Sequence, residues 1–235
     1  MINFEWGTEG VKKFSAFSDI TIIVDVLSFS TCVDVVTGNN AYIYPYKYKD
    51  GSAAEYARSC GAQLASPVRS LDNISLSPYS LKNVTELSRI VLPSPNGSEL
   101  SLLSKSRITL CACLRNYRAV AEYANSISSN VTVIAAGEKW PDGSIRFAAE
   151  DLIGAGAVIS VLEGERTSEA EACSSFFESS RDKLEDLILC CVSGKELIDR
   201  GYSADVHLAL EIDCSQAIPS LVNGCYINQS NSSLR

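Results

Sequence analysis

Glu138, Asp142, Glu150 and Asp151 crowd around Trp140 in the stretch 137–151, with Lys139 and Arg146 between them. A helix starting near Ile145 or Arg146 would put Glu150 and Asp151 in its second turn, on neighbouring sides. One or both could then point back towards Glu138. Carboxylates gathered in this way repel one another unless a cation sits between them, and oxygen-only ligands select Mg²⁺. The plain alternative is a helix carrying an i,i+4 Arg146–Glu150 pair.

Three further stretches place polar residues where strands end. Asp25 leads into Val-Leu-Ser28-Phe-Ser30-Thr31, and Pro93 into Ser94-Pro-Asn96-Gly97-Ser98. Cys113 leads into Leu-Arg115-Asn116. Open α/β sheets bind ligands beyond the carboxyl ends of their strands, where helix N-termini present free N–H groups to anions. Each stretch also has a structural reading: Ser30 and Thr31 are good N-caps, the Ser94–Ser98 run is a turn, and Arg115-Asn116 suits a solvent-facing helix start.

The elements that must position these groups alternate along the chain. Short β-branched runs at 20–27, 41–44, 89–92, 108–112 and 131–135 read as buried parallel strands. Helical patterns follow at 30–36, 52–60, 114–127 and 148–162. The last third is mainly helical, at 168–179, 183–191, 195–200 and 203–211. This rhythm predicts an α/β sheet with helices on its faces, in a single domain over 1–225. The loop 66–87, with two Ser-Pro pairs, wanders over one end of the sheet, and 226–235 reads as a polar tail.

The chain has 235 residues, 20 Lys+Arg against 28 Asp+Glu, and a formal net charge of −8. That balance argues against nucleic acid or an anionic membrane as the main partner. The one histidine, His207, excludes any site built on two imidazoles, and its helical setting suits a surface or satisfied role. Nine cysteines, mostly inside apolar segments, read as reduced and buried rather than as zinc ligands. The start lacks a basic region followed by an apolar core, and no apolar run could span a bilayer, so the expected location is cytoplasmic. A homodimer is compatible with the helical final third.

Taken in order, these motifs resemble the 2-phosphosulfolactate phosphatase (ComB) family. The residues that carry the likeness are Asp25-Val-Leu-Ser-Phe-Ser-Thr31, Ser94-Pro-Asn-Gly-Ser98, Cys113-Leu-Arg-Asn116 and Ala136-Gly-Glu-Lys-Trp-Pro-Asp-Gly-Ser-Ile-Arg146. Ala149-Glu-Asp-Leu-Ile-Gly-Ala-Gly-Ala157 and Ser193-Gly-Lys-Glu-Leu-Ile-Asp-Arg-Gly201 extend it over nearly the whole chain. The resemblance implies a three-layer α/β/α fold with a mixed, mainly parallel central sheet, unrelated to haloacid-type phosphatases. It also implies Mg²⁺-dependent hydrolysis of 2-phospho-3-sulfolactate to 3-sulfolactate, a step towards coenzyme M. One departure is that Ser28 stands where an arginine is expected after Asp-Val-Leu, which bears on the substrate rather than on phosphatase chemistry.

The expected site follows. Asp25, Glu138, Glu150 and Asp151 are the candidate Mg²⁺ ligands or acceptors of metal-bound water. Ser28, Ser30, Thr31, Asn96, Gly97, Ser98 and Asn116 would surround the phosphate with neutral donors, and Arg115 and Arg146 would offset further anionic charge. The runners-up are a phosphatase of another small phosphoacid and a non-catalytic binder of a phosphorylated or sulfonated metabolite.

Overall fold

The computed structural model describes residues 1–48 and 50–229. The chain opens with β1 (Ile2–Trp6) and α1 (Gly7–Phe14), then β2 (Ile20–Val24) and α2 (Phe29–Gly38). Next come β3 (Tyr42–Tyr46), α3 (Ser52–Cys60) and the short β4 (Gln63–Leu64). After a long loop follow β5 (Arg89–Pro93), α4 (Gly97–Leu103), β6 (Ile108–Ala112), α5 (Tyr117–Asn125) and β7 (Val131–Ala135). A small hairpin, β8 (Glu138–Lys139) and β9 (Ile145–Arg146), precedes α6 (Ala149–Val161) and α7 (Ser168–Ser180). The chain continues through α8 (Leu184–Cys190), α9 (Val192–Asp199) and α10 (Ser203–Ala209) to β10 (Pro219–Val222) and β11 (Cys225–Asn228).

Nine strands form one sheet in the order β1-β7-β2-β6-β10-β11-β3-β5-β4. β1, β7, β2 and β6 are mutually parallel, and so are β3, β5 and β4. The hairpin β10–β11 joins the two halves through antiparallel pairings on both sides. The sheet is therefore mixed but mainly parallel. In β2 four of five residues are apolar because both faces are covered, and the exception, Thr21, is buried with its hydroxyl hydrogen-bonded to that of Ser106. Ile20, Ile22 and Val24 pack with α5, α6 and α7, while Ile23 packs with Val11 of α1 and Leu100 of α4. Phe29, Val33 and Val36 of α2 bury against Ile43, Ile90, Leu92 and Tyr226. Helices on both faces complete a three-layer α/β/α architecture.

The small residues of α6 set the spacing of the helical layer. A Cβ on Gly156 would stand 2.4 Å from the Cys173 carbonyl oxygen of α7, and one on Gly154 would stand 2.6 Å from Val26.

Two boundaries differ from the sequence reading. Ile145 and Arg146 pair with Glu138 and Lys139 as strand rather than starting a helix, so Glu150 and Asp151 lie in the first turn of α6. The segment read as a tail from Tyr226 instead enters the middle of the sheet as β11, with Tyr226 wholly buried. The reason is a two-residue turn at Asn223-Gly224, both at positive φ, which folds β11 back on β10. Residues 230–235 of that tail lie outside the described residues. Among the described residues no helix is long and apolar enough to cross a membrane.

Candidate active site

A cleft of 450 Å³ opens where the ends of β2, β5 and β7 meet α9 and the loop 66–88. Asp25, the first residue after β2, is 6 % exposed and stands on its wall. Its backbone is locked by the loop that follows: Asp25 N donates to Ser30 Oγ at 2.8 Å, and Ser30 N donates to Asp25 O at 2.7 Å. The carboxylate accepts from Phe29 N at 3.2 Å on Oδ1 and from Gly97 N at 2.9 Å on Oδ2. This second bond ties the end of β5 to the end of β2, although the two strands belong to oppositely directed halves of the sheet. Only glycine fits at 97, because a Cβ there would be 2.2 Å from the Phe29 ring.

Glu138 enters from β8, directly after β7. Asn96 Nδ2 donates to its Oε2 at 2.9 Å. Glu138 also lines a smaller neighbouring cavity of 310 Å³, with Trp6, Ala136 and Ile145. Burial pushes Asp25 up to about 7, and the charge of Glu138 adds to the shift. Burial likewise raises Glu138 above the ordinary carboxylate range, against the Asn96 hydrogen bond and the charge of Arg146. These two acids face one cleft and raise one another's cost of ionisation, a conflict of the kind a bound dication relieves.

Asp151 and Glu150 sit deeper and do not line the cleft. Asp151 is 4 % exposed and accepts from Val26 N at 2.8 Å and Gly137 N at 2.9 Å, one bond per oxygen. It therefore clamps the loop after β2 to the loop after β7. Burial, then the charges of Glu150 and Asp25, push it well above the ordinary carboxylate range. Glu150 is 2 % exposed and lies beside Cys191, whose thiol is pushed up to about 12 by burial and then by Glu150.

The other expected donors divide clearly. Ser28, Asn96 and Arg146 line the cleft. Ser30, Thr31 and Ser98 do not; they are buried and spend their hydroxyls on the turn, Thr31 on Val26 O at 2.7 Å and Ser98 on Leu92 O at 3.0 Å. Gly97 N is taken by Asp25. Asn116 is wholly buried and bonds Cys113 N and Ala217 O, bracing the end of β6. Arg115 points away from the cleft, into a separate cavity, where it pairs with buried Asp34 at 2.7 Å and with Glu211. The expectation that four strand ends would converge therefore holds for three, since β6 directs its polar residues elsewhere.

Arg69, Glu196 and Arg200 were not anticipated, and all three line the cleft. Glu196 and Arg200 share one face of α9 at i,i+4 spacing, a signal present in the Ser193–Gly201 motif. Arg69 carried no such signal, because it stands in an irregular loop. Arg146 bonds Ser193 Oγ at 3.4 Å and lies over the exposed Trp140 ring. His207 is exposed and outside the cleft, and all nine cysteines are free thiols.

The donor set bears on the magnesium expectation. Among the described residues no three Asp, Glu, His or Cys side chains come close enough together to form a protein cage for a metal. Asp25 and Glu138 nevertheless make a two-carboxylate, all-oxygen wall beside open space. That suits Mg²⁺, which keeps several waters and commonly takes one or two carboxylates together with substrate phosphate oxygens.

Comparison with known proteins agrees with this geometry. A probable 2-phosphosulfolactate phosphatase of Thermotoga petrophila is 27% identical over 212 residues, covering 88% of this chain and 90% of the relative. The 2-phosphosulfolactate phosphatase of Methanothermobacter thermautotrophicus is 29% identical over 211 residues, covering 88% of each chain. The family model described as 2-phosphosulpholactate phosphatase matches residues 8–224, a span that contains every residue of the cleft, and the chain belongs to that family.

Proposed function

We propose that this chain hydrolyses the phosphate ester of 2-phospho-3-sulfolactate, releasing 3-sulfolactate and inorganic phosphate, and that it uses Mg²⁺. One observation carries the reading: in a member of this family, a single cleft sets two conflicting carboxylates, Asp25 and Glu138, beside the guanidinium groups of Arg69, Arg146 and Arg200. A substrate with a phosphate, a carboxylate and a sulfonate needs several cationic contacts, and an acidic chain supplies them here at one place.

The residues divide the work. Asp25 and Glu138 would hold the cation, which when bound neutralises phosphate charge and orients water. Asn96 fixes the Glu138 carboxylate, and Asp151 holds the loops that carry both acids. Arg146, in β9, and Arg200, at the C-terminal cap of α9, offer unpaired guanidinium charge to the substrate's anionic groups; among the described residues neither makes an ion pair. The guanidinium carbon of Arg146 lies 5.9 Å from the centre of the Trp140 ring, a cation–π contact.

The test is phosphate release by purified protein from 2-phospho-3-sulfolactate, with Mg²⁺ and with a chelator. Turnover that requires Mg²⁺ and falls at least a hundredfold in both Asp25→Ala and Glu138→Ala is expected. Metal-independent turnover, or full turnover in either variant, would refute the mechanism. Ligand binding without turnover would point to a binding protein instead.

A further inference from the structure

Arg69 is held unlike the other cations of the cleft. It comes from the loop 66–88, and its side chain is 12% exposed. Nη1 donates to Asp205 Oδ2 at 2.5 Å and Nη2 to Ser28 Oγ at 3.2 Å. Asp205 is wholly buried at the start of α10, and its other oxygen accepts from Ser77 Oγ at 2.5 Å and Tyr79 N at 3.1 Å. Tyr202 completes the mount: its hydroxyl donates to Arg69 O at 2.8 Å, and its ring lies 5.6 Å from the guanidinium carbon. Backbone, face and both terminal nitrogens are held. Arg200, by contrast, is exposed, and Arg146 has one long contact to Ser193.

Such a mount has a purpose beyond holding a loop. A guanidinium carries five N–H donors in a rigid fork, and only two have protein partners here. Among the described residues no buried side-chain nitrogen or oxygen lacks a partner, so Nε of Arg69, which has none, is not a buried atom, and the residue lines the cleft. Ser28 Oγ accepts from Arg69, which leaves its own hydrogen to donate. Asp205 neutralises the guanidinium, so the pair selects by the direction of its donors more than by net charge. Immobilising it beforehand removes the ordering cost an exposed arginine meets on closing over a ligand. Ser28 lies three residues after Asp25, so this fork stands beside the acids and belongs to the same substrate.

We propose that Arg69 is the specificity-determining residue of the cleft: with Ser28 Oγ it binds the oxyanion of the substrate that is not hydrolysed, a carboxylate or sulfonate. Asp205 is a positioning residue that acts through Arg69. The assignment rests on reading the cleft as a phosphate-ester hydrolase site and adds which side chain recognises the acid.

The test compares phenyl phosphate, which has no second anion, with 2-phospholactate and 2-phospho-3-sulfolactate. R69K keeps the charge and loses the fork; the double variant R69M/D205N removes both partners and leaves no buried charge unpaired. In both, KM for the two phosphoacids is expected to rise about 10–100-fold, the loss of charge-assisted hydrogen bonds. The change in kcat should be small, and the loss with phenyl phosphate at least tenfold smaller. D205N alone should show the same pattern more weakly. If the double variant does not fold, R69K carries the comparison. An equal loss on all three substrates, or an unchanged KM, overturns the proposal. If the unaltered protein releases phosphate from none of them, the hydrolase reading fails separately, and calorimetry with 3-sulfolactate decides the role of Arg69. Binding that weakens at least tenfold in R69K supports it; no binding, or equal binding, overturns it.

Discussion

Raising the pH on the metal-free protein perturbs the pair at the centre of the cleft. The Asp25 carboxyl has an ordinary value of 3.8 and stands at about 7 in the folded chain, through burial first and Glu138 second. The folded state therefore holds a proton that the unfolded state gives up, and the stability this confers is lost as pH rises from about 4 to about 7. Between pH 5 and 8 the loss from Asp25 alone is about 2–3 kcal/mol. Asp25→Asn removes this dependence, at a separate cost of about 1–3 kcal/mol, because an amide cannot accept from both Phe29 N and Gly97 N. Urea unfolding in a chelator at pH 5 and pH 8 measures both. The difference between the two proteins should shrink or reverse at pH 8, because the natural protein alone loses the Asp25 contribution. Added Mg²⁺ at a hundredfold excess over its Kd should then restore about 2.7 kcal/mol at pH 8, in the natural protein and not in the variant. A stability difference that does not move with pH would refute the protonation argument. Equal stabilisation of both proteins by Mg²⁺ would refute the cation site.

Three other substitutions separate the parts of the site. Gly97→Ala drives a methyl group into the Phe29 ring and should cost about 1–3 kcal/mol by urea unfolding, with a fall in turnover because Asp25 loses its anchor. Asp151→Ala leaves Val26 N and Gly137 N without acceptors and should cost about 2–4 kcal/mol; a variant as stable as the parent would mean the clamp is dispensable. Arg115→Met leaves the wholly buried Asp34 uncompensated and should cost about 3–5 kcal/mol, while KM in the folded fraction is retained. A raised KM there would place Arg115 in the substrate site after all.

The sequence was most legible where one physical signal dominated. The strand Val131–Ala135 and the acidic block after it could be read because a wholly buried parallel strand leaves no polar alternation, and charges crowded after such a strand need a reason. That crowding misled on one point. The sequence reads as a helix starting near Ile145 or Arg146, but the turn at Asp142, whose carboxylate accepts from Ser144 N and Oγ, folds these two residues into a hairpin. As a result Glu150 and Asp151 are buried in the first turn of α6, and Asp151 works there as a support for the two loops. Ser30, Thr31 and Ser98 show the same ambiguity. A hydroxyl beside an anion site and a hydroxyl satisfying a tight turn have identical sequence signatures, and here the turns won. Arg69 could not be read at all, since its partner Asp205 is 136 residues away and only the folded loop brings them together. The Asn223-Gly224 turn was readable, but the Ser/Asn-rich stretch beyond it obscured the strand that follows.

The hairpin β10–β11 has a consequence for how the chain is made. It is the last pair of strands in the described sequence, yet it sits at the centre of the sheet, between β6 and β3. Until synthesis has passed residue 228, the two parallel halves have no common strand, and each presents an open, unpaired edge. Completion of the sheet must therefore follow release of the hairpin from the ribosome, so the cleft, whose walls come from both halves, is completed only once residues 219–228 have been made. A shortened chain ending before residue 219 should yield two mismatched half-sheets prone to edge-to-edge association, however intact its acidic residues are.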